Sequence, residues 1–148
     1  MDQANKNNDW KKLSLAEREK ALLEDLNTFA DWKERYSYII DMGTDLAPLA
    51  DEFKRDEFKV KGCVSQVWLV AKKENETLIF SADSDSLFVK GLAGLLVKLF
   101  SGKSPTEIAE HPTNILMESG LIQNLSPNRT NGAASMFAKF KELAKIFT

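Results

Sequence analysis

A chain of 148 residues fits one ordinary domain, large enough to bury a core without disulfides or a metal. With 43% hydrophobic and 28% charged residues it has the balance of a globular protein, not a disordered or fibrous one. A net charge of −2 supplies none of the basic footprint of a nucleic-acid binder, and a single cysteine excludes an internal disulfide, so a reducing compartment is the natural setting.

The first residues, "MDQANKNNDWKK", contain no apolar h-region, carry acidic side chains and lack arginine, which argues against a secretory or transit peptide. Residues 1–12 read as a loose polar tail and 13–148 as one domain. Ser14 and Glu17 stand in capping-box spacing, and Leu15, Leu22, Leu26 and Phe29 recur on one face, predicting a first helix. A second begins near Asp31, with Trp32, Tyr36 and Ile39 on one side, and stops at Gly43. "DLAPLADEFK" contains a proline and gives no clear periodicity.

The middle changes character. "DEFKVKG", "SQVWLVAKK" and "TLIFSAD" are short and rich in β-branched and aromatic residues, with "ENE" as a polar turn before the last; they predict about three antiparallel strands. "SLFVKGLAGLLVKLF" returns to helical period and ends at Gly102; broken by Lys98, its apolar run is too short to span a bilayer. Ser104, Pro105 and Glu107 combine an N-cap, a proline at the first helical position and a capping box. "NILMESG" is a further short turn of helix, and Ser126-Pro127 launches a last one with Met136, Phe137, Phe140, Leu143 and Ile146 on its apolar side. Helices on both sides of a small sheet make the fold α+β. A cytoplasmic protein with neither nucleic-acid nor membrane partners is expected.

Several chemical-looking motifs have plainer explanations. "SGKSP" ends like a phosphate loop, but Val97 stands where the first glycine belongs and a helix precedes it, so a helix C-cap followed by an N-cap is the better reading. "ADSDS" lacks the glycine and distal glutamate of a calcium loop and fits a strand running into a helix N-terminus. Trp32, Tyr36, Tyr38 and Trp68 lie at core spacing, and the glycines of "GLAGLLVKLF" suit close helix packing. His111, the only histidine, is either a base for the cysteine or a solvated helix end with favourable dipole placement, the second being preferred.

Cys63 remains. A lone cysteine is most often a small buried hydrophobe, but Gly62 lets the backbone turn sharply just before it, and it lies at a strand entrance. Lys59 and Lys61 stand close in sequence, and positive charge favours the reactive thiolate. One thiol is too few for an iron–sulfur ligand set and has no resolving partner for disulfide chemistry. Accepting a group, holding it and passing it on stays possible.

"GCVSQVWLV" closely resembles the "GCxSQVW" signature of the SufE family, whose members accept sulfur from PLP-dependent cysteine desulfurases. The resemblance continues in order through "DWKERYSYIIDMG", "LAPLADEFK", "SADSDSLFVKGLAGLLVKLFSGKSP" and "LSPNRTNG", nearly the whole domain. Departures fall at Val64, Asn128 and Asp51, where many members carry glutamine, serine and proline. The resemblance implies a SufE/IscU-like fold and places the persulfide acceptor on Cys63, with Gly62, Ser65, Gln66 and Arg129 in support. It implies no cofactor or metal in this chain, the PLP belonging to the partner desulfurase, and a monomer that hands sulfur to a cluster-assembly scaffold or another acceptor. Gly62 is then a hinge that lets Cys63 lie against apolar surface at rest and swing out on docking. Arg129 either steadies an anionic sulfur or pairs with Asp83 or Asp85, and Ser65 and Gln66 support the turn. Two other readings stay open: an adaptor that activates a desulfurase with an incidental thiol, and a cysteine-based redox or acyl-transfer enzyme using His111.

Overall fold

The computed structural model describes residues 9–148. The predicted tail therefore lies outside the described residues up to position 8. Residues 9–12 are helical, and Trp10 packs against the core with its indole N–H donating to the Lys98 carbonyl at 2.9 Å.

Helix α1 spans Leu15–Asn27 and begins with the reciprocal Ser14–Glu17 capping box. Helix α2, Trp32–Thr44, starts where the Asp31 side chain accepts the Glu34 N–H at 2.8 Å. The segment after it carries two 3₁₀ turns, Asp51–Phe53 and Asp56–Phe58. Strands β1, Val67–Glu74, and β2, Thr77–Ser84, form an antiparallel hairpin in register from Val67–Ser84 to Glu74–Thr77, turning through Asn75 and Glu76.

The sheet has two strands, not three. "DEFKVKG" winds into the second 3₁₀ turn, and from it Lys59 alone bridges to Trp68 before the chain bends away at Gly62. The outer edge of β2 is met in the same way by a single bridge from Leu78 to Lys103. Each edge of the hairpin thus meets only a brief run of loop backbone that does not continue into a third strand.

Helix α3, Leu87–Phe100, is apolar on nearly all sides and is accordingly the central element, with nine of its 14 residues buried. It touches α2 backbone to backbone. A Cβ added at Gly43 would sit 2.8 Å from the Gly91 nitrogen, and one at Gly91 or Gly94 would run into the Ile39 or Met42 carbonyl oxygen. The expected role of these glycines in close helix packing holds. Around α3 pack β2, α1 and the last helix, α6, Pro127–Phe147. Between them lie two short helices, α4, Pro105–Glu110, and α5, Ile115–Glu118.

Two charged residues of α1 are buried with the leucines. Arg18, 1% exposed, donates to the carbonyls of Leu99 and Ser101 at 3.0 and 2.9 Å and so closes the C-terminus of α3, where a cation is favoured. The expected core aromatics are only half-buried: Tyr36 donates its hydroxyl to the Asn124 carbonyl at 2.7 Å and Tyr38 to Asp25 at 3.1 Å. Trp68 is also half-buried, with its ring N–H unpaired among the described residues.

Candidate functional site

Residues 61–66 form a loop closed at its neck. The Val60 N–H donates to the Val67 carbonyl at 2.8 Å. On the exit side, Gln66 donates its N–H to the Asp85 carboxylate at 3.0 Å and accepts the Asp85 N–H at 3.3 Å. Gln66 therefore supports the turn through its backbone, as its position suggests. Gly62 lies at φ +92°, a conformation that side chains resist, and a Cβ there would come 2.5 Å from the Ser135 hydroxyl on α6.

Cys63 at the tip is half-buried. Its Sγ–H donates to the Gly132 carbonyl of α6 at 3.4 Å, so the sulfur lies against that helix. Beside it opens a cavity of about 270 Å³ lined by Val64, Ser65, Phe88, Arg129 and Gly132 among others. The structure thus brings Gly62, Cys63, Ser65 and Arg129 to one place, with Gln66 anchoring the loop behind them. Phe88, Gly132 and Ser135 complete the setting; of these only Gly132, in the "LSPNRTNG" block, was marked by the sequence, and without a role.

Two electrostatic expectations change. Burial pushes the Cys63 thiol up from its ordinary value, so the resting pocket favours the protonated form. Lys59 does not counter this, because it pairs with Asp56 at 3.3 Å, and the Lys61 side chain is exposed. Arg129 pairs with neither Asp83 nor Asp85. Asp83 is held between Lys54 and Lys90 at 3.3 and 3.4 Å, and Asp85 serves the loop neck. The Arg129 guanidinium lies instead over the Phe88 ring, 5.1 Å from its centre, and among the described residues it has no carboxylate partner. A cation left free at the rim of a thiol cavity can meet an anion there.

His111 belongs to another place. It is buried, not solvated, against Glu19, and Thr113 donates to both Glu19 oxygens at 2.8 Å. Glu19 and Thr113 both contact the same ring nitrogen, Nε2. A proton relay needs the acid and the nucleophile on opposite nitrogens of the imidazole, so this cluster is a structural lock. Lys141 closes it by donating to the carbonyls of Ile108 and His111 at 2.6 and 2.7 Å. Among the described residues no three metal-binding side chains gather, and no helix is long and apolar enough to cross a membrane.

Fold and site together define a helix-rich α+β domain built around one retracted thiol. The chain belongs to the SufE family: residues 20–144 match the domain described as "SufE: Fe-S metabolism associated domain". It is 40% identical over 130 residues to a SufE-like protein of Rhizobium etli, covering 84% of this chain and 88% of that one. A SufE-like protein of Synechocystis is 36% identical over 126 residues, covering 85% and 79% of the two chains. "SufE-like protein 1, chloroplastic/mitochondrial" of Arabidopsis thaliana is 42% identical over 113 residues, 76% of this chain but 30% of that longer one. The fold is shared with the solution structure of a hypothetical protein from Thermus thermophilus, at TM-score 0.72 and 19% identity over 87% of this chain and 94% of the other.

Proposed function

We propose that this protein is a sulfur acceptor and carrier, taking persulfide sulfur from a PLP-dependent cysteine desulfurase onto Cys63, stimulating that enzyme, and passing the sulfur into iron–sulfur cluster assembly in the cytoplasm. The observation that carries the reading is the placement of the one thiol: at the tip of a necked loop, on a glycine pivot, beside a cavity with room for a further atom. In the transfer, the Cys63 sulfur attacks the outer sulfur of the donor's persulfide. One S–S bond forms on Cys63, the donor's S–S bond breaks, and the donor's own cysteine leaves as thiolate, so no external oxidant is needed. Cys63 must give up its proton first, which the resting cavity disfavours. Leaving that cavity on docking both exposes the sulfur and makes the proton easier to lose. Arg129 steadies the sulfur anion at the rim, and the PLP chemistry stays in the partner.

The test is intact and peptide mass spectrometry after incubation with a cysteine desulfurase, PLP and cysteine, without reductant. Increments of one or more sulfur atoms on the Cys63 peptide, removable by reductant, are expected. An unmodified Cys63 in a protein that still accelerates the desulfurase would replace the carrier with an adaptor. Activity without any desulfurase, lost in Cys63→Ser, would make it an enzyme in its own right.

A further inference from the structure

Of the exposed large hydrophobic residues among those described, the most exposed stands next to the nucleophile. Val64 is 82% exposed, against 69% for Leu87, 66% for Ile146 and 57% for Met117. It lines the Cys63 cavity, and Leu87 opens the helix whose next two residues, Phe88 and Val89, line it too. The tip from Gly62 to Gln66 carries no charged side chain, so charge on the tip itself cannot select what meets it.

A donor sulfur must come within about 2 Å of the Cys63 sulfur to form the new bond. Adjacent Cα atoms are about 3.8 Å apart, so a protein bringing that sulfur covers Val64 in the same act. We infer that Val64 is a specificity-determining residue for sulfur acceptance, seating in an apolar recess at the rim of the donor desulfurase's active-site opening. This rests on the function proposed above. Burial of an apolar side chain that is almost wholly in water before docking favours the complex without any cost to the free fold.

The experiment measures the rate of sulfur arrival on Cys63 against the concentration of persulfide-loaded cysteine desulfurase, for native protein, Val64→Thr, Val64→Asp and the remote control Ile146→Thr. The half-saturating concentration should rise several-fold in Val64→Thr, which keeps the shape, and about tenfold or more in Val64→Asp, tenfold being 1.4 kcal/mol. Ile146→Thr should match the native protein. Alkylation of Cys63 by iodoacetamide in the free protein should be the same for native protein, Val64→Thr and Ile146→Thr, the carboxylate of Val64→Asp itself slowing the thiolate. Half-saturation within twofold of native in both Val64 variants would overturn the inference and leave the carrier reading intact. A parallel change in the alkylation of Val64→Thr would also overturn it, by placing the effect in the resting loop. Native protein that takes no sulfur at any desulfurase concentration would remove both.

Discussion

Among the described residues, a buried histidine cluster and a half-buried thiol are built on opposite terms. At the Glu19–His111–Thr113 cluster both Glu19 carboxylate oxygens are bonded, two groups converge on the one imidazole nitrogen Nε2, and Lys141 seals the backbone around it. At Cys63 the thiol has one weak acceptor, a cavity beside it and an unpaired arginine at the rim. Groups already bonded to one another gain little by meeting a substrate, whereas a thiol held by one weak bond loses little by leaving. The difference separates a lock from a site more reliably than residue type, which left His111 open as a base for the cysteine.

The sharpest way to break that contrast is substitution at each centre. Cys63→Ser should reduce sulfur transfer to background with desulfurase docking retained, read by mass spectrometry and by pull-down; residual transfer would move the acceptor elsewhere. His111→Ala should instead cost roughly 3 kcal/mol by leaving Glu19 short of a buried partner. It should leave transfer per folded molecule unchanged, as denaturant unfolding and the sulfur assay would show. Loss of transfer in a stable His111→Ala protein would restore the enzyme reading.

Gly62→Ala sharpens the picture of the loop. An L-residue in left-handed backbone costs about 1–2 kcal/mol, and the added methyl meets Ser135. The loop should release, raising iodoacetamide alkylation of Cys63 by about tenfold; an unchanged rate would mean the pivot lies elsewhere. A pH series tests the cavity itself. Because burial raises the Cys63 thiol, its alkylation in folded protein should inflect above the value of about 8.5 expected for the unfolded chain. The matching stability contribution is full below the unfolded value and is lost as pH rises through the folded one. Folded and unfolded inflections that coincide would show the thiol to be freely solvated. The smallest effect is expected at Lys59→Ala, less than about twofold on alkylation, since that charge is spent on Asp56.

Local chemistry was legible in the sequence, and long-range chemistry was not. Ser14, Ser104 and Ser126 mark helix starts because a capping side chain acts within three residues of itself. The third strand failed because what decides it is a bend at Gly62 and a single bridge at Lys59, both set by α6 and β1 and not by the residues of "DEFKVKG". Arg18 left a readable trace, lying three residues after Leu15 and four before Leu22 on the same helical face, yet its carbonyl partners on α3 have no letter in the sequence. The same holds at the site. Cys63 and Gly62 announce themselves, while the Gly132 carbonyl and the Ser135 ledge become visible only once α6 is laid beside the loop.

The neck of that loop also sets a length. Val60 is bonded to Val67, and Cys63 is the third residue beyond Val60. At 3.3–3.6 Å per extended residue, the cysteine Cα can stand at most about 11 Å from Val60, however completely the tip uncurls. A donor whose sulfur lies deeper below its own surface than that reach extended by the cysteine side chain and one S–S bond cannot be served by the loop alone. The end of the β-hairpin would have to enter with it, or the donor would have to carry its sulfur outward on a mobile arm of its own.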